Sequence, residues 1–146
     1  METLTLKTVL TAKDALLMAQ IRNECREFMT RDPRPISPIR QLEWFETEYL
    51  PEDKPVRGYL AMLGETPIGF GLIRLEDHKL WVTGGLKRLY RGKGYGRQLF
   101  TLLTEGHAVP VYLEVLIRNT VARNLYASLG FVSIDNTRRV VTMRKL

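Results

Sequence analysis

A turn with three glycines at alternate positions constrains this chain more than any other feature. Residues 91–96 read Arg-Gly-Lys-Gly-Tyr-Gly, between an apolar segment typical of a strand and a segment with helical periodicity. Glycines let the backbone approach a ligand with its N–H groups exposed, and the start of a helix adds a partial positive charge. Arg91, Lys93 and Arg97 supply cations in or beside the turn. The pattern predicts a pyrophosphate-binding turn; the alternative is a basic turn that only caps a helix.

Two common phosphate-binding patterns do not fit this turn. The P-loop pattern GxxxxGK[ST] requires glycine at position 87 and Ser or Thr at position 94, where the chain has Lys87 and Gly94. The dinucleotide pattern GxGxxG requires a third glycine at position 97 or 99, where the chain has Arg97 and Leu99. The turn therefore belongs to a different class of phosphate site.

Strand-like and helix-like segments alternate along the whole chain, which predicts one α/β domain over residues 1–146. Their order is βααβββαβαβ, with one further strand left open, and it predicts a sandwich around a central mixed sheet. Segment 111–117 is almost continuously apolar, as expected of a strand buried on both faces. The predicted strands are 4–9, 59–63, 68–73, 80–83, 111–117, 131–134 and 140–143.

Local patterns mark the ends of the helices. Thr11 and Asp14 have the spacing of a capping box, and Ser37-Pro38 combines a preferred N-cap with a first-turn proline. Gly130 follows the last helix as a C′ glycine does. The side chains predicted to face inward from the first two helices are Met18, Ile21, Cys25 and Phe28, and then Ile39, Leu42, Phe45 and Tyr49.

Charge and composition argue against several other classes of protein. The 22 Lys and Arg residues outnumber the 16 Asp and Glu residues, and the net charge of +6 favours an anionic ligand. Nucleic acid is not expected as the partner, because the cations crowd the glycine turn instead of alternating with aromatic residues. Cys25 is the single cysteine, and His78 and His107 have no second ligand at metal-binding spacing, so no metal is expected. No signal peptide and no apolar run of about 20 residues is visible, so we expect a cytoplasmic protein that does not enter a membrane.

A second motif follows the glycine turn. Residues 119–131 contain N-x-x-A-x-x-L-Y-x-x-x-G-F, from Asn119 through Tyr126 to Phe131. Together with Arg91-Gly92-Lys93-Gly94-Tyr95-Gly96, which resembles R/Q-x-x-G-x-G/A, this motif resembles the GNAT superfamily of N-acetyltransferases. The resemblance extends from about residue 59 to residue 131 and is weaker over residues 1–58.

This resemblance implies a three-layer sandwich in which four helices flank a mixed, mostly antiparallel sheet. It also implies acetyl-CoA as the cofactor, with its pantetheine arm between two strands that splay apart. We expect Gly84 and Gly85 to form a β-bulge that starts the splay; the alternative is that they only end a strand. The cofactor-binding residues that the resemblance implies are Gly85, Leu86, Arg91, Gly92, Lys93, Gly94, Tyr95, Gly96, Arg97, Asn119 and Tyr126.

The implied reaction is direct attack of a neutral amine on the acetyl thioester in a ternary complex. Tyr126 is the candidate acid for the leaving thiolate, although its place on an apolar helix face also suits a core residue. Glu114 is the candidate base, because it is the one charge in an apolar strand and its burial would make it a stronger base. A water chain is the alternative base, and a Glu114 bonded to an arginine is the structural alternative. In the order Glu114, Asn119 and Tyr126 the chain resembles ribosomal-protein alanine acetyltransferases.

The acceptor is open at this point. A protein N-terminus, an amino sugar, a polyamine or an antibiotic would fit, and the net positive charge mildly disfavours polyamines. A catalytically inactive CoA-binding regulatory module is the alternative function, and the resemblance leaves open whether the chain forms a homodimer. The candidate acceptor-pocket residues are Asn23, Glu24, Arg26, Phe28, Met29, Trp44 and Arg74.

Overall fold

Seven strands form one sheet, in the order β1-β2-β3-β4-β5-β7-β6, in a computed structural model that describes residues 2–146. All neighbouring strands are antiparallel except β4 and β5, which run parallel. The predicted mixed α/β fold is confirmed, with the further strand that the sequence left open. The strands are β1 Thr5–Thr8, β2 Val56–Leu63, β3 Thr66–Glu76, β4 Lys79–Leu86, β5 Val111–Leu116, β6 Val132–Asn136 and β7 Val140–Lys145; the helices are α1 Ala12–Glu24, α2 Pro38–Trp44, α3 Tyr95–Thr104 and α4 Thr120–Ser128.

Two apolar cores make this a three-layer structure. One core joins Met18 and Ile21 of α1 and Phe45 to the sheet residues Leu60 and Phe70. The other core packs α3 and α4 against strands β2 to β5 and β7, and a β-bulge in the β2–β3 pair helps to build it. The bulge places Ile68 in this second core although Phe70, two residues along, belongs to the first.

The predicted helix starts are confirmed, but two of the residues expected to face inward do not. Phe28 is 38% exposed, because α1 ends at Glu24 and Phe28 lies in a separate 3-10 turn over Arg26–Phe28. Thr11 and Asp14 form the complete capping box, and the Ser37 hydroxyl accepts from the Arg40 amide. Ile39, however, is 72% exposed, because α2 is short and turns Gln41 into the protein instead. The Gln41 amide donates to the Ala15 carbonyl at 2.8 Å, so α1 satisfies a buried polar side chain where an aliphatic one was expected. Phe45 is buried as predicted, within a π-helical turn over Phe45–Tyr49.

Strands β4 and β5 separate after only two paired positions. Leu80 pairs with Val111 and Trp81 pairs with Tyr112, and no later residue of either strand is in register with the other. The predicted splay is therefore present, but the predicted bulge at Gly84 and Gly85 is wrong: β4 stays in unbroken register with β3 from Lys79 to Leu86. The separation begins at Trp81 and Tyr112, whose rings pack at 5.3 Å between centroids.

Within residues 2–146, no helix combines the length and the apolar character that crossing a bilayer requires.

Candidate active site

A cleft of about 670 Å³ opens where β4 and β5 separate. Its walls come from the C-terminal half of α1, the loop that follows it, α2, strands β3 to β5, the glycine turn with the first half of α3, and α4. Tyr126 and Glu114 both line it, so the structure brings together the two residues predicted to act in catalysis. The cofactor candidates that line the same cleft are Gly85, Leu86, Arg91, Gly92, Gly96 and Asn119.

The glycine turn leaves the N-terminus of α3 without a side-chain cap. Gly94 is the N-cap in a left-handed conformation with φ of 92°, and no side chain in residues 2–146 bonds to the first α3 amides. Gly92 also has positive φ, at 73°, and a Cβ added to it would meet no atom within 4 Å. The first amides of a helix have no partner within the helix, so this end can receive an anion. The other three helices all have side-chain caps.

Arg91 turns its side chain from the glycine turn back towards α1. Its guanidinium donates to the carbonyl of Leu86 at 3.1 Å and to the carbonyl of Glu24 at 3.0 Å, and it lies 3.6 Å from a carboxylate oxygen of Glu27. It also stacks over the Phe28 ring at 5.1 Å. These contacts hold the end of β4 against α1, so Arg91 fixes the position of the turn more than it extends towards a ligand.

The remaining residues of the turn lie at its surface. Lys93 is exposed, and Arg97 is exposed and donates to the Ser128 hydroxyl of α4 at 2.6 Å. Tyr95 packs edge-on against Tyr90, at 6.5 Å between ring centroids. None of Lys93, Gly94, Tyr95 and Arg97 lines the cleft itself; all four lie at the end of α3 beyond it.

Asn119 begins the last helix. Its side-chain oxygen accepts from the Ala122 amide at 3.2 Å, which makes it the N-cap of α4. Because Asn119 also lines the cleft, the motif residue both starts the helix that carries Tyr126 and faces the space between the splayed strands.

Tyr126 is 8% exposed and packs edge-on against two rings, Phe100 at 4.9 Å and Phe131 at 6.1 Å. Burial raises the pKa of its phenol well above the usual value, so the hydroxyl keeps its proton at neutral pH. Tyr126 has the position expected of a core residue and also one that a candidate acid needs, because its ring belongs to the core and the residue lines the cleft.

Glu114 does not stand alone in its strand. Its carboxylate accepts from Arg31 Nε at 2.8 Å, and its side chain is 25% exposed at the cleft. The structure shows the alternative named above, a Glu114 bonded to an arginine, because the loop after α1 brings Arg31 across to it. Arg31 was missing from the candidate residues, and the 83 positions between the partners leave no local pattern that predicts the pair.

Strand β4 turns main-chain groups into the gap. The Leu80 amide donates to the Pro110 carbonyl on the β5 side, so by alternation residues 82, 84 and 86 direct their peptide groups the same way. The Leu86 carbonyl accepts hydrogen bonds from the Arg91 guanidinium and from the Cys25 thiol. Gly85 lies so close to Cys25 that an added Cβ would be 2.7 Å from its sulfur. Beyond the last β4–β5 pair, at Trp81, the peptide groups of Val82 and Gly84 are therefore directed towards the cleft.

The acceptor end of the cleft is only partly as expected. Phe28, Met29, Trp44 and Arg74 line it, whereas Asn23, Glu24 and Arg26 do not. The Asn23 side chain instead donates to the Ile36 carbonyl and accepts from the Ile36 amide. The Glu24 carboxylate accepts a hydrogen bond from the Arg88 amide. The lining residues that the sequence did not indicate include Arg22, Arg31, Arg40 and Trp81.

No group of three or more His, Cys, Asp or Glu side chains in residues 2–146 is arranged to hold a metal ion. The groups that line the described cleft include arginine guanidinium groups, the Asp32 and Glu114 carboxylates, the Cys25 thiol and the Tyr126 phenol.

A sequence profile settles which family has this arrangement. The profile described as the Acetyltransferase (GNAT) family matches residues 17–131, which include the glycine turn, both splayed strands and Tyr126. The chain belongs to the acetyltransferase (GNAT) family. A relative of this GNAT chain, N-alpha-acetyltransferase 30 of Xenopus laevis, is 34% identical over 94 residues, or 58% of the chain. The match covers 34% of that relative, so the chain spans about a third of its length.

Solved structures share the fold of this GNAT chain at low identity. A chimera of the spermidine N-acetyltransferase SpeG from Vibrio cholerae and hSSAT has a TM-score of 0.80 at 21% identity, covering 99% of this chain and 95% of that one. AAC(6')-Ib, solved with ribostamycin and coenzyme A, has a TM-score of 0.78 at 19% identity, covering 99% and 93%. The yncA protein of Salmonella typhimurium, solved with its cofactor acetyl-CoA, has a TM-score of 0.73 at 17% identity, covering 97% and 92%.

Proposed function

We propose that this protein is an N-acetyltransferase that transfers the acetyl group of acetyl-CoA to a primary amine by direct attack in a ternary complex. The observation that carries the proposal is the uncapped N-terminus of α3 at the end of a cleft that contains a buried, protonated tyrosine. Family membership makes acetyl-CoA the cofactor to test first.

The residues present fit that cofactor. The amides that follow Gly92 and Gly94 would receive the pyrophosphate, with Lys93 and Arg97 as exposed cations beside it. Gly84 and Gly85 of β4 would line the pantetheine arm, in the gap where β5 no longer pairs with β4. When bound, acetyl-CoA supplies an activated acyl group on a thioester sulfur.

Tyr126 would donate the proton that the leaving thiolate needs. Its phenol is protonated at neutral pH, and its ring is fixed by Phe100 and Phe131, so the hydroxyl is held in place at the cleft. Acetyl-CoA would supply the thioester, and Tyr126 would give its proton to the sulfur that leaves when the amine nitrogen bonds to the acetyl carbon.

Glu114 would receive the proton that the attacking amine releases, directly or through water. Its carboxylate is held by Arg31. An amine that reaches Glu114 has to take the place of this guanidinium, so Arg31 would be released from the pair when the acceptor binds. This contact also favours the second candidate function, a CoA-binding regulatory module in which Glu114 stays occupied and no acetyl transfer occurs.

The acceptor class and the cellular setting also belong to this proposal. The order of Glu114, Asn119 and Tyr126 and the likeness to an N-alpha-acetyltransferase support a peptide amine, as in ribosomal-protein alanine acetyltransferases. The neighbours named for spermidine and solved with ribostamycin support small amines. We further propose that residues 1–146 act as one domain in the cytoplasm, without nucleic acid or membrane, and a homodimer is to be tested by ultracentrifugation.

The test is calorimetric titration of acetyl-CoA into wild type and Gly94→Glu. The substitution adds a bulky, negatively charged side chain to the uncapped helix end, and we expect it to weaken binding at least 100-fold. Gly106→Glu is the control for a glutamate at positive φ, since Gly106 also has positive φ, at 78°, but lies at the other end of α3. Equal binding by both variants would refute the proposed pyrophosphate site.

Release of free CoA in the presence of an amine separates the two candidate functions. An enzyme releases CoA in proportion to the acetylated amine formed. A regulatory module binds acetyl-CoA but releases no CoA above the rate of spontaneous hydrolysis with any amine tested.

A further inference from the structure

The acceptor end of the cleft is unusually basic. Arg22, Arg31, Arg40 and Arg74 line it, against two acidic residues, Asp32 and Glu114. Both acids already have arginine partners: Asp32 binds Arg34 at 2.9 Å and Glu114 binds Arg31 at 2.8 Å. No carboxylate among the described lining residues is left to receive a second cation.

Two of these arginines lie close enough to repel each other. Arg22 is anchored by the carbonyls of Asp32 and Arg34. Burial lowers the pKa of the Arg22 guanidinium, the charge of Asp32 raises it, and the charge of Arg40 lowers it by a smaller amount. The Arg40 guanidinium makes no hydrogen bond or ion pair with any residue of 2–146, and its backbone amide donates to the Ser37 hydroxyl. An anion in the cleft beside Arg40 would reduce this repulsion and would supply the Arg40 guanidinium with a counter-ion.

The Arg31–Glu114 pair crosses the cleft with one charge from each wall. A ligand that carries an amine and an anion is complementary to such a pair, since its amine replaces Arg31 at Glu114 and its anion receives the released guanidinium. A ligand that carries only positive charges satisfies Glu114 but leaves Arg31 and Arg40 without a counter-ion.

Aromatic side chains line the same cleft as these charged groups. Trp44 comes from α2, one turn after Arg40, and Trp81 comes from β4, directly opposite Arg74 on β3. Both tryptophans line the cleft, and they are the only two in the chain. Their indole rings offer flat surfaces on which an apolar or ring-shaped scaffold can pack.

We propose that the acceptor is a small amine that also bears an anionic group, a carboxylate or a phosphate, on an apolar or ring-shaped scaffold. Arg40 and the released Arg31 bind the anion, and the two tryptophans bind the scaffold. This inference rests on the proposed N-acetyltransferase function and gives the substrate class of that same site.

The test uses pairs of amines that differ only in the anion. L-Phenylalanine against L-phenylalaninamide tests a carboxylate, glucosamine 6-phosphate against glucosamine tests a phosphate, and spermidine tests a polycation. Binding is followed by tryptophan fluorescence, because both tryptophans lie in the cleft, and turnover is followed by CoA release from acetyl-CoA. We expect the anionic member of at least one pair to bind at least 10-fold more tightly and to have the higher kcat/KM.

Arg40→Gln identifies the group responsible. We expect it to reduce the affinity ratio within the preferred pair at least 5-fold, whereas Arg57→Gln, which removes an exposed charge of β2 outside the cleft, leaves the ratio unchanged. Rising NaCl concentration should also reduce the ratio, since salt screens exposed charges.

Each outcome decides the question. The inference would be overturned if the amines without the anion bound as tightly as their partners with it, or if spermidine bound most tightly. Either result would leave acetyl-CoA binding intact. Failure of acetyl-CoA to bind in calorimetry would overturn the proposed function instead, and the fluorescence ratios would still judge the anion site. A ratio that Arg40→Gln does not change would overturn the assignment of the anion to Arg40.

Discussion

The close approach of Gly85 to Cys25 can be used to test the packing beside the cleft. In Gly85→Ala the new Cβ would lie 2.7 Å from Cys25 Sγ, about 1 Å inside an ordinary contact distance. Cys25 is 2% exposed, in the core beneath α1, so the sulfur has little room to move. Overpacking of this kind costs about 1–3 kcal/mol, and the lower entropy of the unfolded alanine chain offsets about 0.4–1 kcal/mol.

The expected net loss for Gly85→Ala is therefore about 1–2 kcal/mol in the free energy of unfolding, or about 2–8 °C in Tm for a chain of this size. Cys25→Ala alone costs about 1 kcal/mol, because it leaves a small cavity and removes the thiol hydrogen bond to the Leu86 carbonyl. In the double variant the sulfur is gone, so the two losses should not add: we expect a favourable coupling of at least about 1 kcal/mol.

Urea unfolding at 25 °C of the wild type, both single variants and the double variant measures this coupling. Gly84→Ala is the matched control, since its Cβ would meet the Phe70 carbonyl oxygen at 3.0 Å and Leu103 at 3.2 Å, neither of which Cys25→Ala removes. Losses that add within about 0.5 kcal/mol for Gly85→Ala and Cys25→Ala would refute the packing described here. Equal coupling for Gly84→Ala would show that Cys25→Ala loosens the core in general.

Three further predictions concern the proposed chemistry and the start of α1. Tyr126→Phe keeps the ring packing but removes the proton donor, so we expect kcat in a CoA-release assay to fall about 100-fold with Tm unchanged; wild-type turnover would exclude Tyr126 as the acid. Glu114→Gln should lower kcat/KM about 10- to 100-fold, and an unchanged value would favour the water chain as base. Asp14→Asn should lose about 1–2 kcal/mol of unfolding free energy at pH 7, since the carboxylate receives the Leu10 and Thr11 amides and the Lys7 ammonium. Burial raises the pKa of Asp14 but these bonds outweigh it and lower the pKa, so the difference from wild type should be full above about pH 4 and vanish as pH falls through the lowered value; a constant difference in acid would contradict this.

Features that depend on neighbours along the chain could be predicted from the sequence. The capping box of Thr11 and Asp14 and the N-cap at Ser37 lie where their spacing indicated. The C′ glycine at Gly130 has φ of 99°, as a left-handed helix end requires. Each of these contacts joins residues a few positions apart, so the local sequence contains both partners.

The inward face of α2 could not be predicted in the same way. Apolar spacing placed Ile39 inside, but the rotation of α2 against α1 is set by what it packs on. The buried Gln41 amide needs an acceptor, and the Ala15 carbonyl of α1 supplies it with a second lone pair, which leaves Ile39 at the surface. A pattern of apolar residues describes one face of a helix, and it does not include the polar atoms that the neighbouring element has to satisfy.

The sequence by itself determined the order of elements, the glycine turn before α3, and the motif that places Tyr126 on α4. Only the tertiary structure decided that β4 and β5 separate after Trp81 and Tyr112, and that Arg31 forms an ion pair with Glu114. The physical reason is distance along the chain: a turn or cap is fixed by backbone geometry over a few residues. The charges that face each other across the cleft come from distant parts of the chain. Arg31 and Glu114, for example, are 83 positions apart, and only packing brings them together.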